Sequence, residues 1–379
     1  MPRIGIDVTA AVTQGGGIGR YTRELVQALI QADQNNQYRL FHARPAAMQH
    51  VPDAIPHAPN VTHHQSALNS RWLYRLWFRL RLPLPVQWWT GKLDLFHSPD
   101  FVLPPMSGRI PSLLTVHDLS FVHYPETFTP ALVSYLNRVV PRSVRRATHI
   151  LADSQATRQD LIQLWDVPKE KITVLLSGVH ERFQPVTEEQ TLAAVRKKYD
   201  LGVAPYLLSL STIHPRKNYQ MLIRAFRPLA DRFPHNLVIG GGKGWLYEDV
   251  FAEVEQQGLA GRVLFIGFVD DADLPALYSE ASLFVFPSLY EGFGLPLLEA
   301  MACGVPVVSS NASSLPEVAG KAARLLNPEV QHQWTRTIND LLIDSKARVK
   351  MIAAGYRQAR VFTWERAAVK LLEVYDNLL

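Results

Sequence analysis

Two carboxylates and a glycine turn stand together in "LYEGFGLPLLEA" (289–300): Glu291, then Gly292 and Gly294, then Glu299 eight residues after the first. The preceding "SLFVFPS" (282–288) reads as a buried strand, and Pro296 suits the first position of a helix. The glycines therefore form a loop that leads into a helix N-terminus. Unpaired N–H groups and the helix dipole there favour an anion such as phosphate, and the glycines let the backbone come close to it. Glu299 falls in the first turn, with its side chain directed back toward the loop. A carboxylate beside a phosphate would repel it, so both glutamates are suited to accept from hydroxyl groups. Hydroxyls on both sides of a phosphate describe a nucleotide sugar. The plainer alternative is that both glutamates only favour the helix dipole.

Other residues carry the same chemistry. "STIHPRKN" (211–218) sets Arg216 and Lys217 between a strand and a helix. Adjacent cations suit a diphosphate and the charge that develops as it leaves; the alternative is a solvated basic loop. His117 and Asp118 end the strand "SLLTV", where Asp118 could fix the tautomer of the imidazole; a structural histidine is the alternative. Asp153 and Ser154 end another strand, and Ser154 serves equally well as a helix cap. "GGGIGR" (15–20) lacks the spacing of a dinucleotide fingerprint.

These residues need strands and helices to hold them. "RIGIDV" (3–8) reads as a strand that enters a glycine loop and an amphipathic helix, with further β-rich runs at 93–98, 111–118, 148–154 and 171–177. A second series runs from 205 to 311: "YLLSLS", "NLVIGG", "RVLFIGFV", "LFVFPS" and "VPVVSS", with helices between. Strands this apolar, alternating with helices, belong to parallel sheets covered on both faces. Two such series predict an α/β protein of two doubly wound domains, with a boundary near 178–204. The chain ends in an amphipathic helix over 362–379.

A chain of 379 residues with 47% hydrophobic content has material for two cores. Its formal charge of +5 is spread out, which favours anionic small molecules or a membrane surface and excludes a nucleic-acid signature. The single cysteine, Cys303, excludes a disulfide framework and points to a reducing, cytoplasmic compartment. No apolar run reaches the ~18 residues of a membrane span. "SRWLYRLWFRLRLPLPVQWWTGK" (70–92) interleaves arginines with tryptophans. That pattern suits an interfacial helix at the inner face of a membrane, or a packed helix with a cationic solvent face.

"EGFGLPLLEAMACGVPVV" resembles the hallmark of the retaining glycosyltransferases of family 4 (glycosyl transferases group 1, mannosyltransferase-like). So, in order, do "GGGIGRYTRELV", "TVHDLSF", "ADSQATRQDL", "HPRKN", "GFVDDADLPALYSEA", "SSLPEVAG" and "FTWERA". The resemblance implies the GT-B fold of two facing Rossmann-like domains with a cleft between them. The acceptor domain would span 1–180, joined by the terminal helix 362–379, and the donor domain 200–360. It implies a metal-independent hexosyltransferase without cofactors, acting on a nucleoside diphosphate sugar and a glycan or lipid-linked acceptor. In its terms His117 lines the donor sugar, Glu291 contacts the sugar hydroxyls, Glu299 the ribose and Lys217 the diphosphate. Arg216 stands beside Lys217, while Ser211 occupies a place where many members carry a further arginine. Gly16, Gly17 and Arg20 lie near the diphosphate and acceptor. Gly292, Phe293, Gly294 and Leu295 line the donor, as do Asp118 and Ser154. The backbone around Val269 holds the base. Asp271 could accept from guanine, which tilts the donor toward GDP-mannose; as an alternative it is a helix N-cap. The rival readings are a UDP-sugar transferase, an epimerase or phosphorylase of the same fold, and a non-catalytic glycan-assembly subunit.

Overall fold

The computed structural model describes residues 1–45 and 55–379, which divide into two compact units. The first comprises Met1–Leu119, Ser134–Gly178 and Thr363–Leu379; the second comprises Ser120–Val133 and Val179–Phe362. Residues 120–133, which the sequence reading assigns to the first domain, thus group with the second. Aromatic packing accounts for it: Phe128 stacks on Trp245 at 5.5 Å, and the Trp245 indole donates to the Thr127 carbonyl at 2.8 Å.

Among the described residues the first unit holds a seven-stranded parallel sheet, ordered β3-β2-β1-β4-β5-β6-β7. Its strands are β1 (Arg3–Asp7), β2 (Gln37–Arg44), β3 (Val61–Asn69), β4 (Leu95–Ser98), β5 (Ser112–Val116), β6 (His149–Ala152) and β7 (Ile172–Val174). Ile4, Ile6, Leu113, Leu114, Ile150 and Leu151 are fully buried, as expected where helices cover both faces. Strand order reverses between β1 and β4, where Ile4 pairs with Leu95. In open parallel sheets this reversal is where ligands collect, beyond the carboxyl ends.

The second unit holds a six-stranded parallel sheet, ordered β10-β9-β8-β11-β12-β13. These strands are β8 (Tyr206–Leu210), β9 (Asn236–Gly240), β10 (Val263–Gly267), β11 (Leu283–Phe286), β12 (Val307–Ser310) and β13 (Ala323–Leu326). Here order reverses between β8 and β11, where Leu283 pairs with Leu207.

The helices that position functional residues are α1 (Thr9–Thr13), α2 (Gly17–Ala32), α3 (Ser70–Tyr74), α4 (Pro130–Arg146), α5 (Gln155–Trp165), α6 (Tyr219–Arg232), α7 (Leu274–Ser279), α8 (Leu295–Ala302), α9 (Leu315–Ala319) and α10 (Trp364–Leu378). The terminal helix α10 packs on α2 within the first unit: Trp364 meets Tyr21 edge-on, and the Tyr375 hydroxyl lies 2.8 Å from His97 Nδ1. No helix of the described residues is long and apolar enough to cross a membrane.

Three strands, β2, β3 and β13, lack the continuous apolar run that marks the others. In β2 polar residues alternate with the buried Tyr38 and Leu40, and β3 is mostly exposed. β13 is a four-residue edge strand. β3 and β13 are edge strands, which contact the core on fewer sides, whereas β2 lies between β3 and β1.

Candidate functional site

In the second unit the two strands at the reversal, β8 and β11, each deliver one half of a buried ion pair. After β8 the chain makes a short 3₁₀ turn at Pro215–Lys217, and after β11 it enters the loop that starts at Pro287. Lys217 Nζ donates to Glu291 Oε1 at 2.5 Å, and Arg216 lies 3.3 Å from Oε2. Arg216 also donates to the Tyr290 carbonyl. Lys217 and Glu291 are both buried. Burial alone would raise the Glu291 carboxyl, but the charges of Lys217 and Arg216, with hydrogen bonds from Lys217 and Ser288, hold it down at about 2. The carboxylate is thus ionised and offsets one of the two positive charges.

The loop that carries Glu291 is clamped from the next strand. Ser313 Oγ accepts from Glu291 N at 2.7 Å and donates to its carbonyl, and Ser314 Oγ is 2.9 Å from that carbonyl and 2.7 Å from the Phe293 carbonyl. Ser310 Oγ donates to the Ser288 carbonyl at 2.6 Å. These serines enter the sequence reading only as part of a matching segment. Their clue was density of short hydroxyl side chains after β12, which suit buried loop carbonyls.

Gly294 has φ of 120° and caps α8, and a Cβ there would stand 2.8 Å from Leu315. Glycine is required at this position. Pro296 is the second residue of α8 rather than the first, because Leu295 opens the helix. Glu299 is accordingly one residue further into the helix than the sequence spacing predicts. It is buried, and its Oε2 accepts from the Tyr278 hydroxyl of α7 at 2.8 Å. Gly292 and Phe293 are buried in the same loop.

The surrounding wall is aromatic. His214 stacks on Trp245 at 4.7 Å, and burial together with Lys217 and Arg216 pushes its imidazole down to about 2. His123 stacks on Tyr290 at 5.1 Å. Through its hydroxyl, Ser211 bonds the Tyr219 hydroxyl at 2.7 Å. Its carbonyl would lie 1.9 Å from a Cβ at Gly241, whose φ is 143°. Val269 is buried beyond β10, beside the largely exposed Phe268. Asp271 lies 3.9 Å from Arg182 and is not the N-cap of α7; Asp273 holds that position.

The first unit has its own buried pair at the carboxyl ends of β5 and β6. His117 Nδ1 lies 2.7 Å from Asp153 Oδ2, so Asp153, and not the neighbouring Asp118, orients the ring. Burial would lower the imidazole. Asp153, by charge and hydrogen bond, and then the charges of Asp100 and Asp118, raise it to about 9. Tyr21 and Phe101 meet the ring edge-on at 5.0 and 5.3 Å. Ser154 caps α5 by accepting from Thr157 N, and Thr157 Oγ1 in turn holds the His117 carbonyl at 3.0 Å.

The glycine loop follows the short helix α1 and opens α2. A Cβ at Gly16 or Gly17 would meet nothing within 4 Å, whereas at Gly19 it would lie 1.9 Å from the Gln14 carbonyl. Packing therefore demands glycine at 19 and leaves 16 and 17 open. Arg23 holds this turn through the Ala11 and Gln14 carbonyls. Among the described residues, no group of three or more His, Cys, Asp or Glu side chains is placed to hold a metal ion.

Two family models match the chain. "Glycosyltransferase Family 4" covers residues 15–183 and "Glycosyl transferases group 1" covers 194–358. The O-antigen chain mannosyltransferase B of Escherichia coli is 34% identical over 374 residues, spanning 96% of both chains. Among solved structures, a sucrose-phosphate synthase from Thermosynechococcus elongatus aligns with a TM-score of 0.77 at 21% identity, over 100% of this chain and 99% of that one. Anabaena Alr3699/HepE, solved with UDP and glucose, aligns at 0.75 and 20% identity over 99% of each chain.

Proposed function

The chain belongs to the family 4, group 1 glycosyltransferases of GT-B fold, and from that premise we propose that it is a retaining hexosyltransferase that uses GDP-mannose. The acceptor is a sugar hydroxyl of a glycan or a lipid-linked sugar. The mannosyltransferase named above, matched over almost its whole length, supports this choice of sugar. We place the reaction in the cytoplasm, at the inner face of the membrane.

One observation carries the mechanism: Lys217 and Arg216 converge on Glu291 at the reversal of the second sheet. A donor diphosphate takes the two cations. That exchange frees Glu291 to accept from hydroxyls of the donor sugar. The bond from the anomeric carbon to the diphosphate oxygen breaks, and the acceptor oxygen bonds to the same carbon on the same face. The acceptor's proton passes to the leaving diphosphate, whose growing charge Arg216, Lys217 and the N–H groups of α8 stabilise. Glu299 takes the ribose, and the backbone at Val269 with Asp271 the base. Gly292, Phe293, Gly294 and Leu295 line the donor. In the first unit His117, charged through Asp153, donates to the sugar being transferred. Asp118 and Ser154 border it, and the loop backbone at Gly16 and Gly17 comes near the diphosphate and the acceptor.

The test is transfer of mannose from GDP-mannose with product configuration read by NMR, with and without EDTA. We expect an α-linked product and full activity in EDTA, since two side-chain cations already face the diphosphate. Inversion at the anomeric carbon, or loss in EDTA restored by Mg²⁺, would overturn the mechanism.

A further inference from the structure

Beside the His117 centre, the first unit contains a groove whose cations serve no described acid. The helix α3 continues as one wide π-type turn at Arg75–Arg79. Leu73, Trp77 and Phe78 anchor it, with the Trp77 indole donating to the Leu84 carbonyl at 2.9 Å. Arg71, Arg75 and Arg79 repeat at four-residue spacing on its other side. Together with Arg138 of α4 they line a cavity of about 600 Å³, the size of a small-molecule site. A second cavity, of about 370 Å³, adjoins the same helix and α4 and is lined by Arg81 and Arg142 together with Phe78, Leu82 and Val139. Among the described residues none of these six arginines pairs with a carboxylate, and Arg75 lies over the Trp72 ring instead. Like charges at four-residue spacing weaken a helix, so folding alone gives no reason for the stripe. A merely solvated face would also turn away from apolar surface, whereas these residues rim it. Asp100, the one acid in the lining, sits with Phe101 at the end next to His117.

We propose that this groove seats the phosphate-bearing lipid end of the acceptor. Its phosphate or diphosphate lies among Arg71, Arg75, Arg79 and Arg138, and its first chain carbons run along Phe78, Leu82 and Val139. The sugar passes Phe101 toward His117, with Asp100 accepting from its hydroxyls. The assignment rests on the glycosyltransferase reading. Exposed Trp72, Leu80 and Trp88 beside the groove suit a lipid surface from which such a chain would enter.

The test is calorimetric titration of the full chain, saturated with GDP so that the second unit's cations are occupied. Geranyl diphosphate is the probe, with inorganic diphosphate and geraniol as controls. Geranyl diphosphate should bind at least tenfold more tightly than either control, and Arg75→Gln/Arg138→Gln should remove at least tenfold of that affinity. Leu82→Glu, at an exposed position of the lining, should weaken geranyl diphosphate and leave inorganic diphosphate unchanged. Equal binding of geranyl and inorganic diphosphate, or affinity untouched by these substitutions, would overturn the proposal. So would binding of the double variant to phosphatidylglycerol vesicles and to polyprenyl-phosphate vesicles that matches the wild type. A chain that takes geranyl diphosphate in the groove but binds no GDP would instead refute the donor assignment and leave the groove standing.

Discussion

Each parallel sheet carries a buried ion pair beyond its carboxyl ends, and the two pairs are displaced in opposite senses. In the second unit Lys217 and Arg216 pull Glu291 down to about 2; in the first, Asp153 with help from Asp100 and Asp118 lifts His117 to about 9. The second is a cationic site that holds its own counter-ion, which in the proposed mechanism a diphosphate would replace. The first is an acidic surround that holds a proton on one imidazole. One arrangement is built to exchange partners and the other to keep them, and the difference can be broken experimentally.

The largest effect falls on the exchanging pair. Glu291→Gln keeps the shape and removes the charge, so kcat should fall by about 10²–10³, the usual cost of removing one charge-stabilising group. The same change releases Lys217 and Arg216 from an anion. GDP should therefore bind as tightly as before or more tightly, and raise the Tm of the variant more than that of the wild type. Kinetics and calorimetry together read this split. A variant with wild-type kcat and weakened GDP binding would reverse the assignment.

The pairs should also fail at opposite ends of the pH scale. The folded pKa of Glu291 lies below its unfolded value, so its contribution is present above about 4.5 and disappears as pH falls through about 2. That of His117 lies above its unfolded value, so its contribution is full below about 6.5 and disappears as pH rises through about 9. Urea midpoints followed across pH should show an alkaline decline that Asp153→Asn abolishes. NMR titration of the His117 ring should show its pKa lowered in that variant. An alkaline decline identical in both proteins would mean that Asp153 does not set the imidazole.

Much of this was legible in residue types. Leu, Val and Ile runs marked the central strands because burial on both faces leaves little choice of side chain. Gly292 and Gly294 announced a tight loop and Glu291 its chemistry, while the positive φ of Gly294 is visible only in the structure. What stayed hidden depends on distance along the chain. Asp153 stands 36 residues from His117, so the nearer Asp118 was the natural candidate for its partner. The clamp of Ser313 and Ser314 on the Glu291 carbonyl spans β12. The arginines of α4 carry no motif and acquire meaning only opposite those of α3. The stretch 120–133 follows a first-unit strand yet packs by its aromatics in the second unit, which no local pattern shows.

The smallest effect concerns the base, and it tests whether the second unit's carboxylates are divided between structure and recognition. Asp273 holds the N-cap position of α7 and meets Lys198 at 2.5 Å, which leaves Asp271 beyond β10 with Arg182 at 3.9 Å. A carboxylate accepts two hydrogen bonds from the N1–H and amino group of guanine, and uracil offers no such pair. GDP should then bind more tightly than UDP, by roughly 1–3 kcal/mol for bonds to a charged acceptor. Asp271→Asn keeps one acceptor oxygen and turns a donor toward guanine's donors, so it should close about 1 kcal/mol of that gap. If Asp271 serves only Arg182, the substitution should shift both nucleotides equally. Titration of GDP and UDP against both proteins separates the cases. Equal affinities in the wild type, or a preference for UDP, would exclude guanine recognition by Asp271 while leaving the roles of Lys217, Arg216 and Glu291 untouched.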